Sequence, residues 1–146
     1  MEIKKVNRSD VNEVATLFNM YRMFYNQSSD LEGAITFIND RIENNESVIF
    51  VAIEEDQYLG FTQLYPTFSS VSMKRVWILN DLFVIESARK KGVAQKLLDA
   101  AKQLGIETYA KSIQLETAND NVNAQRLYEK NGYKTDGSFL NYTLSL

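Results

Sequence analysis

Histidine and cysteine are absent from this 146-residue chain, and proline occurs once, at Pro66. Without cysteine there is no disulfide framework and no thiolate nucleophile. Without histidine there is no Ser-His-Asp triad, no ordinary zinc site and no imidazole acid or base. Acid–base chemistry therefore falls to Asp, Glu, Lys or Tyr, and no metal is expected. There are only six glycines, with no Ser/Gly-rich linker, internal repeat or low-complexity tract. Neither a Gly-x4-Gly-Lys-Ser/Thr loop nor a Gly-x-Gly-x-x-Gly turn occurs, so nucleotide hydrolysis and dinucleotide binding have no support. No apolar run reaches the roughly 18 residues that span a bilayer, and Met1–Lys5 lacks the apolar stretch of a signal peptide. A net charge of −3 argues against nucleic-acid binding. With 45% apolar and 24% charged residues, the chain has enough material for a core. The expectation is one cytoplasmic domain over residues 1–146, without membrane or nucleic-acid partners.

Periodicity organises the chain. Met1–Val6 reads as a short strand. Ser9 or Asp10 can cap a helix carrying Val11, Val14, Leu17, Phe18 and Tyr21 at helical spacing, running to about Tyr25. A second helix starts at Asp30, with Leu31, Ala34, Ile35, Ile38 and Ile42 on one face. Val48–Ile53, Tyr58–Tyr65 and Lys74–Val84 read as strands of an antiparallel meander, with Pro66–Val71 as a loop. Helical spacing returns from Ala88 through Val93, Leu97, Ala101 and Leu104, with Gly105 as a stop signal. Ser112–Thr117 is a strand, Asn121–Asn131 a helix ended by Gly132, and Tyr133 and Ser138–Leu146 supply closing strands. The expectation is an α/β fold: a mixed, mostly antiparallel twisted sheet of six to seven strands flanked by four helices.

Arg89-Lys90-Lys91-Gly92-Val93-Ala94 lies between a strand and a helix. Three cations at a helix N-terminus oppose the macrodipole by up to about 0.3–1 kcal/mol each unless something negative compensates. An anion on the free N–H groups would offset that cost and use Gly92 for close backbone approach; a solvated charge run is the plain alternative. Asn80-Asp81-Leu82-Phe83-Val84 followed by Arg89–Ala94 resembles motif A of the GNAT superfamily of N-acetyltransferases, Arg/Gln-x-x-Gly-x-Gly/Ala after a strand ending in Leu-x-Val. Asn121-x-x-Ala124-x-x-Leu127-Tyr128-Glu129-Lys130-x-Gly132-Tyr133 resembles its motif B, in the right order and at the right spacing. The resemblance covers essentially the whole chain and is nearest to small diamine/polyamine- and histone-acetyltransferase-like members.

The resemblance implies acetyl-CoA as cosubstrate. Its pyrophosphate would lie on the main chain of Arg89, Lys90, Lys91, Gly92, Val93 and Ala94, and its pantetheine arm along Leu82, Phe83 and Val84. Asn121 is a helix cap that would also contact the cofactor. Tyr128 would protonate the departing sulfur, a role open to a phenol that arrives protonated; a core aromatic is the alternative. The N–H of Phe83 or Val84 would bind the thioester carbonyl. Along the strand, Trp77, Leu79, Asp81 and Phe83 alternate with Ile78, Asn80, Leu82 and Val84. The diamine branch has a water-ordering Glu where this chain has Asn80, which cannot accept a proton. Asp81 and Glu116 remain candidate bases, beside a free amine that loses its proton to water.

For the acceptor, Tyr21, Tyr25, Tyr65 and Asn80 are candidate contacts, with aromatic faces available to a cation. The leading expectation is acetyl transfer to a small primary amine such as a polyamine or amino acid. The alternatives are acetylation of a protein N-terminus or lysine, and a CoA-binding sensor without turnover. Phe139, Leu140, Tyr142, Leu144 and Leu146 suit either a homodimer through the C-terminal strands or core packing.

Overall fold

The computed structural model describes all residues, 1–146. They form two compact units, Met1–Glu116 and Thr117–Leu146, each described by itself. In the first unit the order is β1 (Glu2–Lys5), α1 (Val11–Phe24), α2 (Leu31–Glu43), β2 (Val48–Glu54), β3 (Gln57–Ser69), β4 (Lys74–Val84), α3 (Val93–Glu107) and β5 (Ser112–Gln114). The second unit holds one helix, α4 (Val122–Lys130). The sheet order is β1-β2-β3-β4-β5, antiparallel except for the parallel pair β4–β5. No helix is long and apolar enough to cross a membrane.

Two cores lie on opposite faces of this sheet. On one, Val14, Leu17, Ala34 and Ile38 of α1 and α2 pack on Ile49, Val51 and Phe61. On the other, Val93 and Leu97 of α3 pack on Ala52 and Leu59. The helix entrances follow from their polar residues. Asn7 Oδ1 accepts the Ser9 N–H at 2.9 Å, and the Asp10 carboxylate accepts the Asn7 N–H at 3.0 Å. That reciprocal pair makes Asn7 the cap of a 3-10 turn leading into α1; Asp10, one of the two expected caps, is the N-cap residue of α1 itself, its side chain bonding back to Asn7 rather than to the helix. Asp30 Oδ1 accepts the Gly33 N–H at 3.0 Å and opens α2 as expected.

Several boundaries depart from the pattern-based reading. β3 runs through Pro66, which pairs with Trp77. The last β2 partner is Val48 opposite Leu64, so Pro66 sits where β3 has a free edge and its missing N–H costs no ladder bond. Gly105 does not stop α3; it is buried within the helix, and a Cβ there would lie 3.4 Å from Ile113 Cδ1. The helix instead ends at Thr108, whose hydroxyl bonds the Leu104 carbonyl at 2.8 Å. The sheet has five strands where six to seven were expected, because residues 133–146 form no ladder. Alternating apolar residues signal a face that wants cover, and the signal does not say which chain supplies it.

Candidate active site

The bulge in β4 organises the site. Gln63 pairs with Asp81 and Leu64 with Leu79, leaving Asn80 as the extra residue. The simple alternation expected along this strand is therefore broken. Trp77 points towards α3, its Nε1–H donating to Thr108 Oγ1 at 2.9 Å. Asp81 and Phe83 turn to the opposite face, where the Phe83 ring lies 6.3 Å from that of Tyr21 in α1. Asn80 is left exposed and Asp81 is buried, only 3% accessible.

Beside the bulge, β4 loses its outer neighbour. β5 pairs with Val76, Trp77 and Ile78 and no further. The Ile85 N–H donates to the Leu59 carbonyl at 2.9 Å, which sets the alternation of the antiparallel ladder. Phe83 accordingly turns its N–H and C=O to β3, and Leu82 and Val84 turn theirs to the open edge. Of the three residues expected along a bound arm, Leu82 and Val84 offer free-edge main chain and Phe83 offers only its side chain. Arg89 confirms the direction of Val84, its Nε donating to the Val84 carbonyl at 3.0 Å.

The basic loop follows. Lys90 and Gly92 are both left-handed, with φ of 62° and 81°, and α3 begins directly after them. The first turn of α3 has no acidic residue and no side-chain cap, so its leading N–H groups have no partner within the helix. A Cβ built on Gly92 meets nothing within 4 Å, so the space above the loop is open. Arg89, Lys90, Lys91 and Gly92 are exposed, Ala94 is half-buried, and Val93 is anchored in the core. The Arg89 guanidinium does not extend over the loop. It folds back to the strand end, 5.7 Å from the Phe24 ring centre and 6.0 Å from that of Phe83.

The α1 face of the bulge is a hydrogen-bonded cluster. Gln63 Nε2 donates to Asp81 Oδ2 at 2.5 Å and Asn80 Nδ2 donates to Asp81 Oδ1 at 2.9 Å. Ser47 Oγ donates to Gln63 Oε1 at 2.8 Å, and the Tyr21 hydroxyl donates to the Asn80 carbonyl at 3.3 Å. Burial raises the Asp81 carboxyl above its ordinary value, against the bonds from Gln63, Asn80 and Tyr21 that pull it down. Burial, and then the nearby Asp81 charge, push the Tyr65 hydroxyl up to about 12. The Tyr25 ring packs edge-on to Tyr21 at 5.1 Å and is 51% exposed. Glu116 lies beyond the end of β5 rather than on it, and is exposed. Tyr21, Asn80 and Asp81 are thus together; Glu116 makes no bond with them.

Gln63 and Ser47 were missed by the reading from sequence. The available signal was the polar pair Thr62-Gln63 inside the apolar strand beside the one that carries Asp81. In the second unit, Asn121 Oδ1 accepts the Ala124 N–H at 3.3 Å and so caps α4. Tyr128 lies later on that helix, half-buried, its ring 5.8 Å from that of Tyr133.

An open strand edge leading to a cationic loop at a helix N-terminus suits an extended ligand with an anionic end, and the bulge beside it places polar groups next to that edge. These features suit a protein that holds an extended, anionic ligand along a central strand. The acetyltransferase (GNAT) family model matches residues 14–133, and the chain belongs to that family. It is similar over its whole length to the uncharacterized N-acetyltransferase YhfO of Bacillus subtilis (strain 168), with 52% identity over 146 residues and 98% of that protein covered. A probable acetyltransferase of Haemophilus influenzae (strain Rd) is 30% identical over 147 residues, covering 100% of this chain and 99% of that one. A crystal structure of a probable acetyltransferase superposes with a TM-score of 0.95 at 46% identity, covering 100% of this chain and 98% of the other. The chain is an N-acetyltransferase, and the family's acetyl donor is acetyl-CoA. The residues present fit that donor: the loop leaves open space above Gly92, and β4 has no partner strand at Leu82 and Val84, where only the Val84 carbonyl is taken, by Arg89.

Proposed function

We propose that residues 1–146 act as one acetyltransferase domain that acetylates the primary amine of a small molecule, a polyamine, an amino acid or a similar compound. Donor and acceptor would be held together for direct attack. The observation that carries this reading is the bulge at Asn80, which leaves an exposed side-chain amide, with the Tyr21 hydroxyl on its backbone carbonyl, next to the stretch of β4 without an outer partner. Bound acetyl-CoA supplies a thioester carbon activated towards nitrogen. The main chain of Arg89–Ala94 holds its pyrophosphate, with Lys90 and Lys91 adding charge, and Asn121 adds a further contact. The edge amides of Leu82 and Val84 hold the arm and the carbonyl oxygen. Tyr128 presents its phenolic proton to the departing sulfur. Tyr21, Tyr25, Tyr65 and Asn80 receive the amine, aromatic faces suiting a cation in approach.

For the amine proton we favour release to water. Asp81 is buried with both oxygens already engaged, and Glu116 is exposed beyond β5, which weighs against either as the base. We place the activity in the cytoplasm and propose a homodimer formed through the C-terminal segment. Its residues Phe139, Leu140, Tyr142, Leu144 and Leu146 are 79% to 116% exposed in the single chain, an apolar run that a second copy would cover.

The test is thiol release from acetyl-CoA with polyamines, amino acids, aminoglycosides and basic peptides, wild type beside Tyr128→Phe, with acetyl-CoA binding followed by calorimetry. Turnover with a small amine, lost in Tyr128→Phe while binding persists, supports the reading. Turnover confined to peptides moves the acceptor to a protein N-terminus or lysine. Tight binding without turnover on any acceptor leaves a CoA sensor.

A further inference from the structure

Behind Asn80, the β4 bulge carries three side chains, Ser47, Gln63 and Asp81, that none of the acetyl-transfer roles above uses. Ser47 Oγ donates to Gln63 Oε1, Gln63 Nε2 donates to Asp81 Oδ2, and Asp81 Oδ1 accepts from Asn80 Nδ2. Gln63 is fully buried, Asp81 is 3% accessible, and Asn80 at the far end is exposed. An ionised carboxylate only accepts hydrogen bonds, so both side-chain amides facing it must present their NH2 ends. For Asn80 this decides which end of the amide faces outward. With Nδ2 bound to Asp81, Oδ1 is the end of this exposed amide that faces away from the carboxylate. The backbone is held as well, because the Tyr21 hydroxyl bonds the Asn80 carbonyl and the Thr62 hydroxyl bonds the Asp81 carbonyl.

We propose that Ser47, Gln63 and Asp81 form a positioning relay that holds the Asn80 amide with its oxygen outward, as the acceptor for an N–H of the incoming amine. Asp81 is then a positioning residue, and the specificity for an N–H donor resides in Asn80 Oδ1. A carboxamide at position 81 fixes this orientation less firmly. If it offers its NH2 to Gln63, Gln63 and Ser47 reverse and Asn80 stays as it is; if it offers its NH2 to Asn80, the Asn80 NH2 turns outward, where it repels an N–H donor. The inference rests on the amine-acetyltransferase reading for its functional half; the relay itself can be judged without any acceptor.

The first experiment is 15N NMR of the side-chain amide of Asn80 in the protein alone. The relay predicts two well-separated, exchange-protected proton signals in wild type, converging towards free-amide positions in Asp81→Asn and Gln63→Met. Averaged signals in wild type overturn the relay. The second is steady-state kinetics with the amine turned over fastest in the panel above. Asn80→Ala should raise the acceptor KM about tenfold, the value of one hydrogen bond, and Asp81→Asn by up to that amount, with kcat and acetyl-CoA affinity little changed. The double variant should be no worse than Asn80→Ala alone, since both act through the same contact. Gln63→Met, which touches no ligand, should shift the acceptor KM in the same direction; a merely structural residue would lower the melting temperature and leave KM alone. Additive effects, or a collapse of kcat in Asp81→Asn together with loss of the acid limb of the pH profile, overturn the proposal and make Asp81 the base. An intact relay by NMR in a protein that turns over no amine refutes the amine reading and the function assigned to Asn80 with it.

Discussion

Replacing Gly92 by alanine separates two roles that one glycine combines. At φ 81° a side chain is strained wherever it points, and a left-handed residue bearing a Cβ costs about 1–2 kcal/mol. Nothing lies within 4 Å of that Cβ, so no packing clash adds to the cost. For a chain of this size each kcal/mol lowers the melting temperature by about 2–4 °C, giving an expected drop of about 2–8 °C. The effect on the donor should be larger. The added methyl occupies the space through which an anion approaches the N–H groups at the start of α3. Hydrogen bonds to charged groups contribute about 1.5–3 kcal/mol, so losing one weakens acetyl-CoA binding about 10- to 100-fold. Calorimetric titration of Gly92→Ala with acetyl-CoA, beside a thermal melt, measures both. Turnover of S-acetylpantetheine, which has no pyrophosphate, should be nearly unaffected. Wild-type affinity for acetyl-CoA in the variant would refute the assignment of this loop as the pyrophosphate site.

Two other glycines should respond in opposite directions. Gly60→Ala puts a Cβ 2.6 Å from the Phe83 carbonyl oxygen, a backbone atom, and should cost at least about 1–3 kcal/mol and distort the β4 edge. Gly105→Ala meets only the flexible end of Ile113 at 3.4 Å and should gain up to about 1 kcal/mol of helix stability; thermal melts of the pair that move in the same direction contradict this account. Burial pushes the Asp10 carboxyl up, but the bonds from the Asn7 N–H, Tyr58 and Lys4 together hold it below its ordinary value of 3.8. A carboxyl depressed in the folded state contributes stability above its unfolded pKa and loses it as the pH falls through the folded one. Asp10→Asn should therefore be less stable than wild type by about 1–3 kcal/mol at pH 7, with the gap closing below about pH 3.8, as read by urea unfolding at each pH. Leu144→Asp with Tyr142→Ser should convert a sedimenting dimer into a monomer of unchanged far-ultraviolet circular dichroism; wild type that sediments as a monomer at micromolar concentration removes the dimer.

Local chemistry was legible in order along the chain. The helical spacing of Val11, Val14 and Leu17, the cap at Asp30, the β-branched run at Val48–Ile53 and the basic loop before α3 each act over a few residues, and each is where the spacing placed it. Pro66 and Gly105 misled because their usual meaning assumes a central strand and a helix end. Pro66 lies opposite Trp77 on a stretch of β3 with a free edge, and Gly105 lies where α3 approaches Ile113. Such facts belong to neighbours distant in sequence. The same holds for the site. A buried Asp81 in an apolar strand announced that it needed partners, yet nothing in its own segment named Gln63, eighteen positions away. The extra residue at Asn80 is likewise invisible to strand periodicity, because a bulge is set by the register of two strands against each other. By itself the sequence determined the four helices, the first strands, the cationic loop and the family pattern, since these depend on spacing along one segment; the expected closing strands did not form. Which side of β4 each residue faces, which amides stay open at its edge, and which end of the Asn80 amide points outward were decided only by tertiary pairing.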